Sequence, residues 1–194
     1  MANDPAFDLT VLHQRIGLCT DCSLYMNRAF AVPGEGPVNA DIMIIGEAPG
    51  AQENSSGRPF YGRSGTLLNE MLSTAGISRA DTYVTNMIKC WPGEGNPNPP
   101  QFALDACDEW LNVQLNLIKP KGIITLGKFS TSKFIPMDGM TMGRIQGAVR
   151  KAYWNETDPV FIMPLYHPAY LLRNGAEKPI TQGHLNKFKE LIYD

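Results

Sequence analysis

Four short runs of apolar and β-branched residues recur along the chain, and polar or turn-forming positions bound each of them. The runs cover residues 41–45, 82–85, 122–126 and 160–163. Each run is almost continuously apolar, which is typical of a strand that other elements cover on both faces. The pattern therefore predicts four strands in the interior of a sheet.

Helical patterns lie between these runs, because apolar residues recur there every three or four positions. The three apolar stripes consist of Leu67, Leu68, Met71 and Leu72, of Leu111, Leu115 and Ile118, and of Leu185, Phe188, Leu191 and Ile192. Strands that alternate with helices predict a parallel sheet between two helical layers. The expected fold class is therefore α/β, a three-layer α/β/α sandwich around a central four-stranded, mostly parallel sheet.

Composition limits the possible classes of protein. With 194 residues, of which 43% are hydrophobic and 19% charged, the chain is expected to form a single domain over residues 1–194. Its apolar runs are too short to span a membrane, and residues 1–5 lack the basic and apolar parts of a secretory signal. We therefore expect a cytoplasmic monomer without a membrane partner. The net charge of -2 means that any contact with DNA depends on a local patch.

The four cysteines, Cys19, Cys22, Cys90 and Cys107, all lie in the first 107 residues. A fold that returns the first pair to the second would place four thiolates around one [4Fe–4S] cluster. Structural zinc is an alternative, but zinc sites usually close both halves with a short spacing, and Cys90 and Cys107 are far apart. Unliganded thiols are the other alternative. The pattern favours the cluster, which a reducing compartment would suit.

The unusual motifs follow the predicted strands. Residues 46–50 follow the first strand, Asn86 ends the second, Gly127 and Lys128 follow the third, and His167 follows the fourth. In open α/β sheets, ligands bind outside the carboxyl ends of the strands. We therefore expect these positions to contribute to a single site.

Four segments and the cysteine pattern together resemble a known family. The segments are GEAPG at residues 46–50, SGRPFYGRSGTLL at 56–68, TNMIKC at 85–90 and YHPAYLLRN at 166–174. In order and spacing they resemble the uracil-DNA glycosylase superfamily, in particular its iron–sulfur-containing family 4 enzymes. The resemblance covers nearly the whole chain from about residue 15 onward. It implies an enzyme that removes uracil from DNA and leaves an abasic site.

The resemblance implies roles that the chemistry of uracil excision explains. The base must leave the stack and enter a pocket, to which Gly46 and Ala48 are expected to contribute. Phe60 would stack on the flipped pyrimidine. Asn86 would read uracil, because its amide offers a donor for O4 and an acceptor for N3–H. His167 would donate a hydrogen bond to O2, and this bond strengthens as uracil leaves as an anion.

The residue that positions the attacking water is the least defined of these assignments. The resemblance ties Glu47 to the active site as a catalytic residue, whereas Ala48 stands where a sister family has an aspartate for the water. It points instead to an asparagine in the loop after the third cysteine, where Asn96 is the best match. Asn98 and Glu53 are the alternatives.

A second group of residues is expected to contact the DNA strands. Leu171, Leu172 and Arg173 resemble the loop that enters the duplex in place of the extruded base, where an apolar wedge replaces stacking and a cation neutralises phosphate. The alternative is a helix start with a solvated arginine. Lys128 and Ser130, at a predicted strand-to-helix turn, are placed to contact phosphate.

Departures from the family pattern affect the preferred base more than the reaction. Tyr61 stands where valine is common and Tyr170 where a small residue is common. Residues 91–106 contain no histidine that could link to the product, so we expect turnover. The sequence thus predicts a monofunctional glycosylase that acts by hydrolysis on uracil-containing DNA. The alternatives are a shifted target base such as hypoxanthine, a catalytically weak uracil-DNA binding module, and an electron-transfer protein.

Overall fold

The structure, a computed structural model, describes residues 5–193. Residues 1–4 lie outside that range, and they belong to the segment in which the sequence predicts no secretory signal. The helices are α1 (Pro5–Leu18), α2 (Ala51–Ser56), α3 (Arg63–Thr74), α4 (Gln101–Ile118), α5 (Lys128–Ser132), α6 (Met142–Ile145), α7 (Pro168–Arg173) and α8 (Lys178–Tyr193). The strands are β1 (Ile42–Gly46), β2 (Thr82–Asn86), β3 (Gly122–Leu126), β4 (Arg150–Tyr153) and β5 (Pro159–Leu165). Within the described range, no helix is both long enough and apolar enough to cross a membrane.

The strands form one sheet in the order β2-β1-β3-β5-β4. Four of the strands, β1, β2, β3 and β5, run parallel to one another, whereas β4 runs antiparallel to β5. The register pairs Gly46 with Asn86, so the motif after β1 and the end of β2 lie side by side. Because the carboxyl ends of the parallel strands share one edge of the sheet, the motifs that follow them meet there.

The fifth strand corrects the strand count, since the sequence predicted only the four parallel strands. Strand β4 lies at the edge of the sheet and its side chains are mostly exposed. Its Lys151 lies over the ring of its own Tyr153, 5.2 Å from the centroid. An edge strand with one neighbour does not need a continuous apolar run, and charged side chains protect its free edge from pairing with another chain. This strand therefore lacks the apolar signal by which the other four were predicted.

Helices cover both faces of the sheet, which makes the fold a three-layer α/β/α sandwich. Ile42 and Ile44 of β1 pack with α3, α7 and α8, whereas Met43 and Ile45 pack with α1 and α4. This separation follows from the alternation of side chains along a strand. All five residues of β1 are buried, as its apolar run predicts.

Candidate active site and cysteine cavity

An open cavity of ≈ 280 Å³ lies at the carboxyl ends of β1, β2 and β5 and is the candidate active site. The predicted site residues on its surface are Ala48, Phe60, Asn86, Asn96 and His167. The other residues that line it are Gly50, Ala51, Gln52, Glu53, Gly62, Arg63, Ser64 and Ala169. Within this second set the sequence offered a role for Glu53 alone, although Gly50, Gly62, Arg63, Ser64 and Ala169 lie in the segments that carry the family resemblance. Tertiary structure therefore brings distant segments into one site.

Asn86 lies at the end of β2, lines the open cavity and is 2% exposed. Its Oδ1 atom has no hydrogen-bond partner among the described residues. An unpaired buried acceptor costs about 1–3 kcal/mol, so this position favours a ligand that supplies a donor. Gly46 lies beneath the cavity surface and leaves the necessary space, since a Cβ there would collide with Oδ1 and lie 2.6 Å from Phe60 Cζ.

Phe60 is held in the cavity wall by a strained backbone. Its φ of 52° lies in the left-handed region that residues other than glycine rarely adopt. Gly65 in α3 permits this conformation, because a Cβ there would overlap the Phe60 carbonyl oxygen. The Phe60 ring is 5.7 Å from the His167 ring between centroids. The loop thus presents an aromatic side chain beside the candidate leaving-group residue.

His167 lies between β5 and α7, and its protonation state follows from one hydrogen bond. Its Nδ1 atom accepts from the amide of Ala169 at 3.1 Å, so the ring proton is on Nε2. Burial lowers the pKa of His167 to about 4, although the negative charge of Glu53 acts in the opposite direction. The ring is therefore neutral at physiological pH and carries a single N–H donor.

Glu53 organises the main chain around the cavity. Its Oε2 atom accepts from the amide of Gly50, and its Oε1 atom accepts from the amides of Tyr61 and Gly62, at 2.8 to 3.0 Å. These charge-assisted bonds fix the loops on both sides of α2. The carboxylate that the sequence offered as an alternative for positioning water is thus engaged with the main chain.

The predicted catalytic residues are only partly brought together. Asn96 lines the open cavity and has a φ of 51°, a conformation that asparagine tolerates better than most residues. Asn98 does not line the cavity. Glu47 is not among the lining residues either: its side chain is half-buried beside the cavity, and burial raises the pKa of its carboxyl group.

The predicted DNA contacts lie outside the cavity lining. Leu172 and Arg173 are exposed on α7, and Lys128 is exposed at the start of α5. Ser130, in contrast, is fully buried and donates to the Gly127 carbonyl at 3.3 Å, so its hydroxyl is not placed to contact phosphate. Leu171 is 1% exposed and packs in the core, so its predicted place in the wedge is wrong. Exposure thus agrees with a DNA-facing role for the first three residues.

The two tyrosines that depart from the family pattern do not line the open cavity. Tyr61 is 56% exposed, with Arg58 lying 5.6 Å from its ring centroid. Tyr170 stacks on Tyr166, with 4.4 Å between the ring centroids. Neither side chain is therefore placed to alter the shape of the cavity directly.

The four cysteines converge on a second, smaller cavity, which we call the cysteine cavity. Cys19 and Cys22 follow α1, Cys90 follows β2, and Cys107 lies in α4. Burial raises the pKa of Cys90, and it raises the pKa of Cys107 to about 11. Thiols in such surroundings become thiolates only where a positive charge, a hydrogen-bond donor or a metal compensates.

Such compensating groups are present. Arg28 Nη1 donates to Cys90 Sγ at 3.0 Å. Lys89 lines the same cavity, and both its main-chain hydrogen bond and its charge favour the thiolate form of Cys107. Hydrogen bonds and cations around sulfur ligands are typical of metal centres. The electrostatics of the cysteine cavity therefore fit sulfur atoms that carry negative charge.

Within residues 5–193, no three His, Cys, Asp or Glu side chains form a group that could hold one metal ion. Four zinc ligands would each lie about 2.3 Å from the same point. Trp110 also lines this cavity. Its Nε1 donor has no hydrogen-bond partner among the described residues, and it lies near enough to Cys19 to favour the thiolate form of that cysteine.

Lys89 is a residue that the sequence reasoning missed. It is 1% exposed and makes three hydrogen bonds through Nζ. Burial lowers its pKa to about 7, and the proximity of Cys107 raises it. Only the two apolar residues that precede it, Met87 and Ile88, could have indicated that this lysine is buried.

Comparisons with known proteins agree with this geometry. A family model described as the Uracil DNA glycosylase superfamily matches residues 33–191. The chain is 38% identical to the type-4 uracil-DNA glycosylase of Pyrobaculum aerophilum, a match that covers 93% of this chain and 90% of that protein. It is 37% identical to the type-4 uracil-DNA glycosylase of Thermotoga maritima, over 95% of this chain and 94% of that protein. Since the family model covers most of the chain and these relatives are more than 30% identical over nearly all of it, the chain belongs to the uracil-DNA glycosylase superfamily and, within it, to the type-4 group.

Proposed function

We propose that the protein is a uracil-DNA glycosylase that hydrolyses the bond between uracil and deoxyribose and leaves an abasic site in DNA. The observation that carries the proposal is the buried, unpaired Oδ1 atom of Asn86, which lines the same cavity as Phe60 and His167. The name of the type-4 relatives states the same substrate and the same reaction.

Base recognition rests on the amide of Asn86. Its Oδ1 atom accepts from N3–H of uracil, and its NH₂ group donates to O4. Cytosine presents the opposite pair at these positions and would leave polar groups unpaired, which disfavours it strongly in a buried site. The Phe60 ring supplies a flat apolar surface for the flipped base. The cavity thus offers both a reader for the edge of uracil and a surface for its face.

Cleavage of the glycosidic bond is assisted by His167. As the bond from C1′ to N1 breaks, its electron pair moves to uracil, and negative charge develops on O2 and O4. The neutral His167 ring donates its Nε2–H to O2, so the hydrogen bond strengthens as the charge develops. Uracil leaves as an anion and takes a proton from solvent. The ring stays neutral throughout, because its Nδ1 atom is already engaged with the amide of Ala169.

Hydrolysis is completed by water, which adds its oxygen to C1′ and releases a proton. Asn96 is the predicted residue that lines the cavity with a side-chain amide able to orient this water. Glu47 lies beside the cavity, where its carboxylate would stabilise the positive charge on the sugar. Glu53 is less suited to either task, since it binds three main-chain amides.

The test is excision on an oligonucleotide that contains a single uracil, followed by alkali to break the strand at abasic sites. We expect strand cleavage with uracil, and none with the matched thymine or cytosine oligonucleotide. Excision of hypoxanthine but not uracil would identify a shifted base preference, and tight binding without cleavage would identify a binding module. Either result would contradict the proposal.

The proposed cofactor is a [4Fe–4S] cluster held by Cys19, Cys22, Cys90 and Cys107. The iron–sulfur character of the family suggests the group, and the cysteine cavity supports it with four sulfur atoms, two neighbouring cations and the unsatisfied donor of Trp110. When bound, such a group ties the segment after α1 to the loop after β2 and to α4. Hydrolysis of a glycosidic bond requires no electron transfer, so we assign it a structural role.

Metal analysis of the purified protein tests the cofactor independently of activity. We expect a brown protein with broad absorption near ~400 nm and about four iron atoms per chain. A colourless protein that carries stoichiometric zinc and excises uracil would contradict the cluster but not the glycosylase.

Four further expectations belong to the same proposal and remain predictions. They are DNA contacts by Leu172, Arg173 and Lys128, a single domain over residues 1–194, a monomeric state and a cytoplasmic location.

A further inference from the structure

Lys89 is a buried lysine between the two cavities. Its side chain is 1% exposed, and Nζ lies 2.7 Å from each of three oxygen atoms, Thr85 Oγ1, the Asn86 carbonyl oxygen and Gln114 Oε1. The ion pairs found within residues 5–193 leave Lys89 without a carboxylate partner. A buried lysine with this environment requires a physical explanation, because an uncompensated buried charge is costly.

All three oxygen atoms act as acceptors. Thr85 gives its only hydroxyl proton to the Pro33 carbonyl at 2.7 Å, so its oxygen accepts from Lys89. The Gln114 Nε2 atom donates to the same carbonyl at 2.8 Å, which turns Oε1 towards Lys89. The carbonyl of Asn86 can only accept. Nζ thus donates towards three fixed oxygen atoms, one of which is the main-chain carbonyl of Asn86.

The cysteine cavity lies on one side of Lys89. Lys89 lines that cavity together with Cys90 and Cys107, and its charge favours the thiolate form of Cys107. On its other side, the ammonium group binds the carbonyl of Asn86, the residue that lines the open cavity.

We propose that Lys89 is a positioning residue for Asn86, and that it orients the base-reading amide from behind. The inference rests on the proposed function. The carbonyl of Asn86 is held by Lys89, and the next amide, that of Met87, donates to the Gly46 carbonyl at 3.0 Å. The main chain on the carbonyl side of Asn86 is thus fixed between β1 and a buried cation, which leaves its side chain little freedom to tilt. Lys89 itself does not line the open cavity and touches no reacting atom.

A double-mutant cycle tests whether Lys89 acts through Asn86. Lys89→Met keeps the length of the side chain and removes all three donors. We expect it to lower the single-turnover rate of uracil excision by about 10- to 100-fold, with little change in the affinity for abasic DNA. In the Asn86→Ala background the same change should cost less than about threefold, because there is no longer a side chain to position. Equal losses in both backgrounds would overturn the proposal, since a general structural role would act in either.

The matched control is Lys133→Met, which removes another lysine near the cysteine cavity, one that pairs with Asp108. We expect its excision rate to stay near that of the parent. Iron per chain is measured for every variant, and rates are compared between preparations of equal iron content. Hydrogen exchange gives a readout besides activity: the amides of Met87 and Ile88, which donate to the Gly46 and Glu47 carbonyls, should exchange faster in Lys89→Met than in Lys133→Met. Equal exchange in the two variants would contradict the inference.

If Lys89→Met does not fold, Gln114→Met decides the question in the same cycle, because it removes one of the three acceptors and retains the ammonium group. We expect a loss of about threefold to tenfold that disappears in the Asn86→Ala background. A loss that persists there would overturn the proposal. Uracil excision by the parent protein is measured first: failure at that stage would reject the proposed function, whereas failure of the cycle would reject only the role of Lys89.

Discussion

The open cavity and the cysteine cavity share a short segment of chain, from Asn86 at the end of β2 to Cys90, but they differ in their electrostatics. In the open cavity the residues that would touch the base are neutral, since His167 has its pKa lowered to about 4 by burial. In the cysteine cavity, Arg28 and Lys89 place positive charge against sulfur.

The difference shows that the two cavities are suited to stabilise negative charge in different ways. A group that must hold an anion permanently benefits from fixed cations, which compensate for the loss of hydration. A group that must stabilise an anion only while it forms benefits from a neutral donor, whose hydrogen bond strengthens with the developing charge.

The largest expected effect comes from removal of the neutral hydrogen-bond donor of His167. His167→Ala should lower the single-turnover rate of uracil excision by about 10²–10³-fold, the usual cost of one lost donor to a developing anion. DNA affinity and iron content should hardly change, because the ring does not line the cysteine cavity. Rapid-quench measurement of a single turnover provides the rate. A rate close to that of the parent would assign the donor to another residue and remove the contrast between the cavities.

The next effect concerns base reading. Asn86→Asp keeps the size of the side chain but replaces the amide donor with an acceptor, so O4 of uracil would face a carboxylate oxygen. We expect a loss of about 2–4 kcal/mol in transition-state stabilisation, the range for a mismatched buried polar pair. Weak excision of unpaired cytosine is expected to appear, because its amino group now finds an acceptor. Single-turnover rates on uracil and cytosine oligonucleotides test this, and an unchanged rate on uracil would show that Asn86 does not read the base.

A third effect concerns the cysteine cavity and should be mainly structural. Cys107→Ser should reduce the iron content and lower the unfolding midpoint by at least roughly 5 °C, because a bound group that links distant segments stabilises the folded state. Glu109→Gln, at an exposed position of the same helix, is the control. Differential scanning calorimetry and iron analysis provide the two measurements. Full iron content in Cys107→Ser would exclude this residue as a ligand.

The smallest effect is a dependence of stability on pH. An unfolded histidine has a pKa of about 6.5, whereas burial lowers that of His167 to about 4. As the pH falls from about 6.5 to about 4, the unfolded chain therefore binds a proton that the folded protein does not, and stability falls. His167→Gln removes this contribution, so it should lose less stability than the parent between about pH 7 and about pH 5. Urea unfolding at each pH measures the difference, and equal losses would mean that burial does not perturb this ring.

Much of the fold could be predicted from the sequence, because the buried parallel strands carry a strong local signal. Strand β1 is apolar along its whole length, and so is most of β3, since helices cover both of their faces. Strand β4 was missed because it lies at an edge, where exposure removes the need for apolar residues. The apolar pattern that predicts a strand is therefore strong where the strand is buried and weak where it is exposed.

The candidate site was predictable to the extent that it follows strand ends. Asn86 and His167 come directly after or at the end of parallel strands, so their convergence follows from topology alone. The positions of Glu47 beside the cavity and Glu53 on three amides do not follow from any pattern, because they depend on the path of loops. The same holds for Lys89, whose acceptors come from β2 and α4.

By itself, the sequence determined which residue types stand at the carboxyl ends of the strands, which family they resemble, and that four cysteines are available as ligands. Only the tertiary structure decided the protonation and surroundings of these groups. His167 is neutral because a main-chain amide occupies Nδ1 and the ring is buried, and Lys89 is held by three oxygen acceptors from β2 and α4. Local patterns record burial and periodicity, whereas the charge state of a side chain depends on donors and acceptors that only folding brings within reach.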